Sequence, residues 1–131
     1  MTTEFFMAMK PPTITHQQKQ VAVIDGKPVF FEPPELKVAR VKLMAHLGPH
    51  KPDKPYRGAV RLMVKWCFPL AGKHTDGEYK DTKPDNSNMQ KLLEDCMEDL
   101  GYFKNDSQIA SLIVEKFWAS RPGIYIRLEQ L

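Results

Sequence analysis

The chain has 131 residues, 42% of them hydrophobic and 27% charged, which is enough apolar material for one modest core and too ordered a balance for a disordered segment. Its net charge of +3 is small. No stretch approaches the roughly 20 apolar residues of a membrane helix, and two cysteines, Cys67 and Cys96, are too few for a disulfide framework or a four-ligand zinc site.

The charge is unevenly placed. Residues 1–83 hold 14 Lys/Arg against 8 Asp/Glu, a net +6, and residues 84–131 hold 5 against 8, a net −3. Between Lys37 and Lys65 eight basic residues face only Asp53. Such a division suits a protein that grips a polyanion with one part and holds a cation with another; a solvated helix face is the ordinary alternative. Residues 1–10 carry Glu4 and no basic lead, so no secretory signal is expected, and the setting expected is a reducing cytoplasm with both thiols free.

In chain order, Thr3–Met9 reads as a strand that ends before Pro11 and Pro12. Val21–Ile24 and Val29–Phe31 flank Asp25-Gly26, a pair suited to the positive φ angles of a hairpin turn, although Lys27 and Pro28 leave room for a longer loop. Glu32-Pro33-Pro34 opens a helix that carries Leu36, Val38, Ala39, Val41, Leu43 and Leu47 and stops at Gly48-Pro49. A proline-rich loop, 48–55, follows.

Arg57–Leu70 is the strongest strand: Val60, Leu62, Val64, Trp66 and Phe68 alternate onto one face, Arg61, Met63, Lys65 and Cys67 onto the other. Residues 71–87 form a polar loop long enough to be functional or mobile. Met89, Leu92, Leu93, Cys96, Met97 and Leu100 then mark a helix over 88–100, with Gly101 as its left-handed cap and Ser87–Gln90 at capping-box spacing. Ile109–Trp118 and Ile124–Leu128 read as strands joined by an Arg121-Pro122-Gly123 turn. The order β, ββ, α, β, α, β, β predicts an α+β fold, a small mixed sheet with two main helices on one face, in a single domain over residues 1–131.

Glycine-rich phosphate loops, nucleophile elbows and His-Glu-x-x-His are all missing. The histidines 16, 46, 50 and 74 lack metal-ligand spacing and read as surface residues; the cysteines read as packing residues. What remains is Lys83-Pro84-Asp85-Asn86-Ser87-Asn88-Met89-Gln90-Lys91, which closes the long loop and opens the best helix. Asp85 and Ser87 have an ordinary reading as helix caps. Lys91, further along the helix, is placed to meet a phosphate bound there. Asn105-Asp106-Ser107-Gln108 precedes the next strand. A 13-residue helix is about 20 Å long, and six extended residues reach about 20 Å. The chain therefore has just enough length to double back and set Asp106 beside Asp85.

These residues carry a resemblance. Lys83-Pro-Asp-x-x-Asn-x-x-Lys91, the helix with Leu92-Leu-Glu-Asp-Cys-Met, Asp106-Ser-Gln-Ile and Glu115-Lys resemble the RusA family of Holliday junction resolvases, small phage- and prophage-associated nucleases. Pro12-Thr-Ile-Thr-His-Gln-Gln-Lys, Glu32-Pro-Pro-Glu-Leu-Lys and Gly58-Ala-Val-Arg-Leu add weaker agreement, so the likeness spans nearly the whole chain. It implies a RusA-like fold and a homodimeric, Mg²⁺-dependent endodeoxyribonuclease, with Mn²⁺ as a second option. Such an enzyme makes paired nicks in branched DNA during recombination and repair. It assigns Asp85, Lys91 and Asp106 to catalysis and Asp85, Asp106 and Ser87 to the metal. Two positions depart from the family pattern: Ser87 and Asn105 stand where it has aspartates. Asp81, Glu78 and Asp95 are further acids nearby, Asp95 also at ion-pair spacing from Lys91.

For DNA contact, charge nominates Lys73, Lys80, Lys83, Arg57 and Arg61, with Lys37, Arg40, Lys42, Lys51, Lys54 and Lys65 behind them. Tyr79 is a candidate to stack on an unpaired base or an ordinary loop tyrosine. Besides the resolvase, two other readings follow: a junction-binding protein with weak or lost catalysis, because Ser87 and Asn105 are neutral, and an interaction protein in which Asp85 and Ser87 only cap a helix.

Overall fold

The computed structural model describes residues 1–13, 20–31 and 33–131, and of residues 20–22 and 29–31 the backbone alone. His16, Glu32 and most of the 12–19 segment quoted above lie outside the described residues. The elements are β1 (Thr2–Met7), β2 (Gln20–Ile24), β3 (Lys27–Phe31), α1 (Pro34–Leu47), β4 (Val60–Pro69), α2 (Asn86–Leu100), β5 (Ile109–Ala119) and β6 (Gly123–Gln130), with single 3₁₀ turns at Gly48–His50 and Asp106–Gln108.

Four strands form a mixed sheet in the order β1-β6-β4-β5. β4 is parallel to β5 and antiparallel to β6, and β6 is antiparallel to β1. The parallel pair needs a crossover, which α2 supplies. This is the α+β architecture expected, with one difference. The β2–β3 hairpin forms its own two-stranded sheet. Its turn is also tighter than the proline after it suggests. Ile24 pairs with Lys27, leaving only Asp25 (φ 53°) and Gly26 (φ 76°) between the strands, and Pro28 lies inside β3. Proline is tolerated there because, among the described residues, neither strand of this small sheet has a partner on its outer side.

The alternation in β4 dictates the packing. Val60, Leu62, Val64, Trp66 and Phe68 are buried under the helices, whereas Arg61, Met63, Lys65 and Cys67 are only half-buried on the other face. α1 buries Leu36, Ala39, Leu43 and Leu47, at helical spacing, and leaves Val38 and Val41 exposed. α2 buries Met89, Leu92, Leu93, Cys96 and Met97. Gly101, at φ 85°, donates its N–H to Glu98 and Met97 and ends the helix as expected.

β4 begins at Val60, three residues later than its alternation suggests, because the segment before it serves the core by another route. Tyr56 is 2% exposed, bridges Phe103, and places its hydroxyl 2.7 Å from Thr3 Oγ1 and 3.3 Å from the Leu128 carbonyl. Tyr102 donates to the Leu47 carbonyl at 2.5 Å, tying the end of α2 to the end of α1. Burial of that phenol raises its pKa.

Candidate active site

α2 starts at Asn86, two residues earlier than its apolar spacing indicates, so Asp85 takes the N-cap position and Ser87 lies inside the first turn. Neither makes the bond expected of a cap. Asp85 makes no side-chain capping hydrogen bond, and the Ser87–Gln90 capping box does not form. The carboxylate of Asp85 is exposed beside the unpaired N–H groups of the helix start, where negative charge is favoured.

The polar segment before it is not loose. Gly77 and Lys80 donate backbone hydrogen bonds to Trp118 and Lys116 of β5, and Trp118 donates back to Glu78. Lys80 lies over the Trp118 ring, 4.3 Å from its centroid, and its ammonium bonds Thr82. Burial, then the charge of Lys116, lowers its pKa. His74 stacks on Trp118 with centroids 4.2 Å apart and bonds Glu78, so Glu78 already has a partner. Tyr79, 66% exposed, stacks on Phe117 at 4.9 Å and donates to Glu115 at 3.0 Å, and the Glu115 bond and charge raise its pKa. The last tie is the most telling. Lys116 donates to the carbonyls of Thr82 at 2.6 Å and Pro84 at 2.8 Å. It thereby fixes the backbone immediately ahead of Asp85.

At the other end of α2 the chain turns back as the sequence allows. Asp106 meets the middle and later turns of the helix: its Oδ2 is 3.4 Å from Lys91 Nζ, and its backbone N–H donates to Glu98 at 2.8 Å. Lys91 also pairs with Asp95 at 3.5 Å, the ion pair its spacing predicts, and Asp95 and Asp106 together raise its pKa. Asp85 remains at the helix start, six residues before Lys91, about 9 Å of helix rise. Among the described residues no three His, Cys, Asp or Glu side chains converge to cage a metal ion. The donors at the site, Asp85, Ser87 and Asp106, are nevertheless all hard oxygens. They fit Mg²⁺, which is commonly held by one or two carboxylates with waters and substrate phosphate completing its shell.

Asn105 is committed elsewhere. Its Oδ1 accepts from the Ser107 N–H at 2.8 Å, and Gln108 returns a bond to the Asn105 N–H at 3.2 Å. A capping box forms here, ahead of Asp106, and not at Ser87. The Gln108 amide also donates to the carbonyls of Tyr56 and Gly58, at 2.9 and 3.0 Å, which brackets Arg57 and sets it at the Asp106 end of the site.

The DNA-contact candidates divide. Lys73 and Lys83 are exposed on the 71–85 loop, and Lys80 is half-buried there. Arg61 shares its sheet face with Lys65, away from α2, and is bonded to Ser111 and Glu129, each at 3.0 Å. Lys65 sits over Tyr125 on that face. The structure thus places Arg61 and Lys65 on the sheet face opposite α2. Cys67 is half-buried and Cys96 buried, both as free thiols; burial pushes the Cys96 thiol up to about 11, as a packing role requires.

Sequence reasoning missed three residues. Lys116 sits in an apolar strand, which is the signal that it has a fixed partner. Gln90, 4% exposed on a polar side chain, and Glu94, whose pKa is raised by burial, follow Ser87 at i+3 and i+7 on the helix edge facing β5.

The comparisons with known proteins agree. The family model for endodeoxyribonuclease RusA matches residues 10–129. The crossover junction endodeoxyribonuclease rusA of Lactococcus phage r1t is 28% identical over 133 residues, a match covering all of both chains. The uncharacterized protein YqaN of Bacillus subtilis (strain 168) is 25% identical over 121 residues, 84% of each chain.

Proposed function

The chain belongs to the endodeoxyribonuclease RusA family, and from that membership we propose that it is a single-domain resolvase that makes paired nicks in four-way DNA junctions during recombination and repair. The observation that carries this reading is the meeting of the two halves of the motif, Lys91 of α2 with Asp106 ahead of β5. No core-packing requirement demands that pair at an exposed site. Phage or prophage origin, a cytoplasmic setting and a homodimer belong to the same proposal; the two-fold of a dimer matches the symmetry of the junction.

Mg²⁺, or Mn²⁺ in its place, is the proposed cofactor, with Asp85, Asp106 and Ser87 to hold it. When bound, such a cation neutralises phosphate charge and lowers the pKa of an attacking water. Lys91 contributes a charged ammonium beside the phosphate that receives developing negative charge. The exposed N–H groups of the first turn of α2 and Lys83 add positive potential at the Asp85 end, and Arg57 adds it at the Asp106 end. Lys116 acts at one remove, by holding Pro84 and therefore Asp85.

The second reading, a junction binder with weak catalysis, is favoured by one observation: Asn105 spends its side chain on a cap, leaving Ser87 to stand alone for a missing carboxylate. A labelled four-way junction incubated with the protein and Mg²⁺ separates the two. Symmetric nicks support the resolvase; binding without nicks supports the binder; neither binding nor nicks overturns both. Ser87→Asp restores a charge at the groove, so the Mg²⁺ concentration for half-maximal cutting is expected to fall about tenfold. Lys116→Met is expected to slow cutting about tenfold with junction affinity little changed, and Lys116→Arg to recover part of the rate. A titration of nicking against Mg²⁺ for each variant measures both.

A further inference from the structure

Beside the proposed cutting site lies an open pocket of about 420 Å³ between α2 and β5. One wall is the helix stripe of Ser87, Gln90, Lys91 and Glu94; the other is Leu112 and Val114. The register explains the second wall. Leu112 and Val114 pair with Leu62 and Val64 of β4 and so share the helix-side face, but β5 is the edge strand, and Leu112 is left 47% exposed.

The polar wall is unfinished. Gln90 is 4% exposed; its amide nitrogen is turned to the Glu94 carboxylate, and its amide oxygen has no hydrogen-bond partner. Asn86, at the mouth of the same pocket, has its Oδ1 buried and unpartnered as well. Buried amides are rarely left so, because the lost hydration is not returned. A phosphate offers only acceptors and cannot answer two amide oxygens. An apolar side chain would answer none. A nucleobase edge presents donor and acceptor side by side, the arrangement a glutamine amide reads, and its flat faces suit the aliphatic wall.

We propose that this pocket takes one unstacked nucleobase of the junction, next to the phosphate at Lys91, and that Gln90 selects it. The proposal rests on the resolvase reading and deepens it. Base stacking is interrupted at a crossover, so a base there leaves the stack at a lower cost than one inside a duplex. Glu94 and the Gln90 oxygen favour a base carrying an amino group over one presenting acceptors alone.

The test is direct binding. Four-way junctions carry 2-aminopurine, whose fluorescence rises on unstacking, at each position around the crossover in turn, without added divalent metal. The expected result is one position at which the wild-type protein raises the fluorescence several-fold. Leu112→Trp fills the pocket from an exposed position and should remove the rise, together with any dependence of junction affinity on the base at that position, while junctions are still bound. Substituting the natural bases at that position should change wild-type affinity about fivefold or more, and Gln90→Ala should flatten the preference. Junction binding with no fluorescent position, or a rise that survives Leu112→Trp, overturns the pocket and leaves the resolvase reading standing. A changed oligomeric state of Leu112→Trp with fluorescence unaffected assigns the wall to a protein contact and also overturns it. Failure of the wild-type protein to bind any junction overturns both.

Discussion

Asp85→Asn is expected to lower junction cutting by at least about 100-fold while leaving junction affinity within a few-fold of wild type. The reason lies in what Asp85 does not do. It occupies an N-cap position yet gives its side chain to no capping bond, so the amide removes a charge without removing a structural contact. Asparagine is itself a good N-cap residue, and fold stability should change by less than about 0.5 kcal/mol. A gel assay for nicks, a binding titration without divalent metal and a urea melt together check the three statements. Equal cutting by Asp85→Asn and wild type would return Asp85 to the role of an ordinary helix start.

The largest expected effect on stability comes from the other side of the molecule. Gly123 opens β6 and is buried where β1 crosses it. A Cβ at that position would lie 2.2 Å from Phe6 Cζ and 2.5 Å from the Met7 carbonyl oxygen. The Phe6 ring, 40% exposed, can swing away; the backbone oxygen can leave only by moving β1. Gly123→Ala is therefore expected to cost about 3 kcal/mol and to lower the melting temperature by about 10 °C, with the urea m-value unchanged. Because the contact lies on the sheet face away from α2, cutting per folded molecule should be unaffected well below the melting point. A Gly123→Ala protein as stable as wild type would mean that β1 does not pack there.

The sequence read as a turn at Arg121-Pro122-Gly123 conceals that contact, since a glycine placed for close approach and one placed for a turn look alike. The central strand and α2 were legible because burial on one face imposes a period on residues 60–68 and 89–100. Tyr56, Tyr102 and Phe103 escaped the same reasoning: they reach the core from connecting segments, where no period applies. The site shows a similar division. Asp85, Lys91 and Asp106 stood out as polar residues grouped at the ends of one helix, and the structure joins Lys91 to Asp106 as the length of the chain permits. The return from Gly101 meets the middle and later turns of α2, at Lys91 and Glu98. The capping box expected at Ser87 does not form, and the one at Asn105 went unread; its partner Gln108 is also held by Tyr56, 52 residues back, a contact no local pattern encodes.

The strand order carries a consequence for biosynthesis. Among the described residues the first strand pairs with the last alone, Thr2–Met7 against residues 124–129. During translation the opening segment, with Phe5 and Met7 meant for the core, leaves the ribosome more than a hundred residues before its partner exists. It must wait with one apolar face unpaired, a state open to chaperone capture and to aggregation. β4 and β5, joined through α2, are both made before the last strand is. Closure by the last strand is then the event that shelters the first.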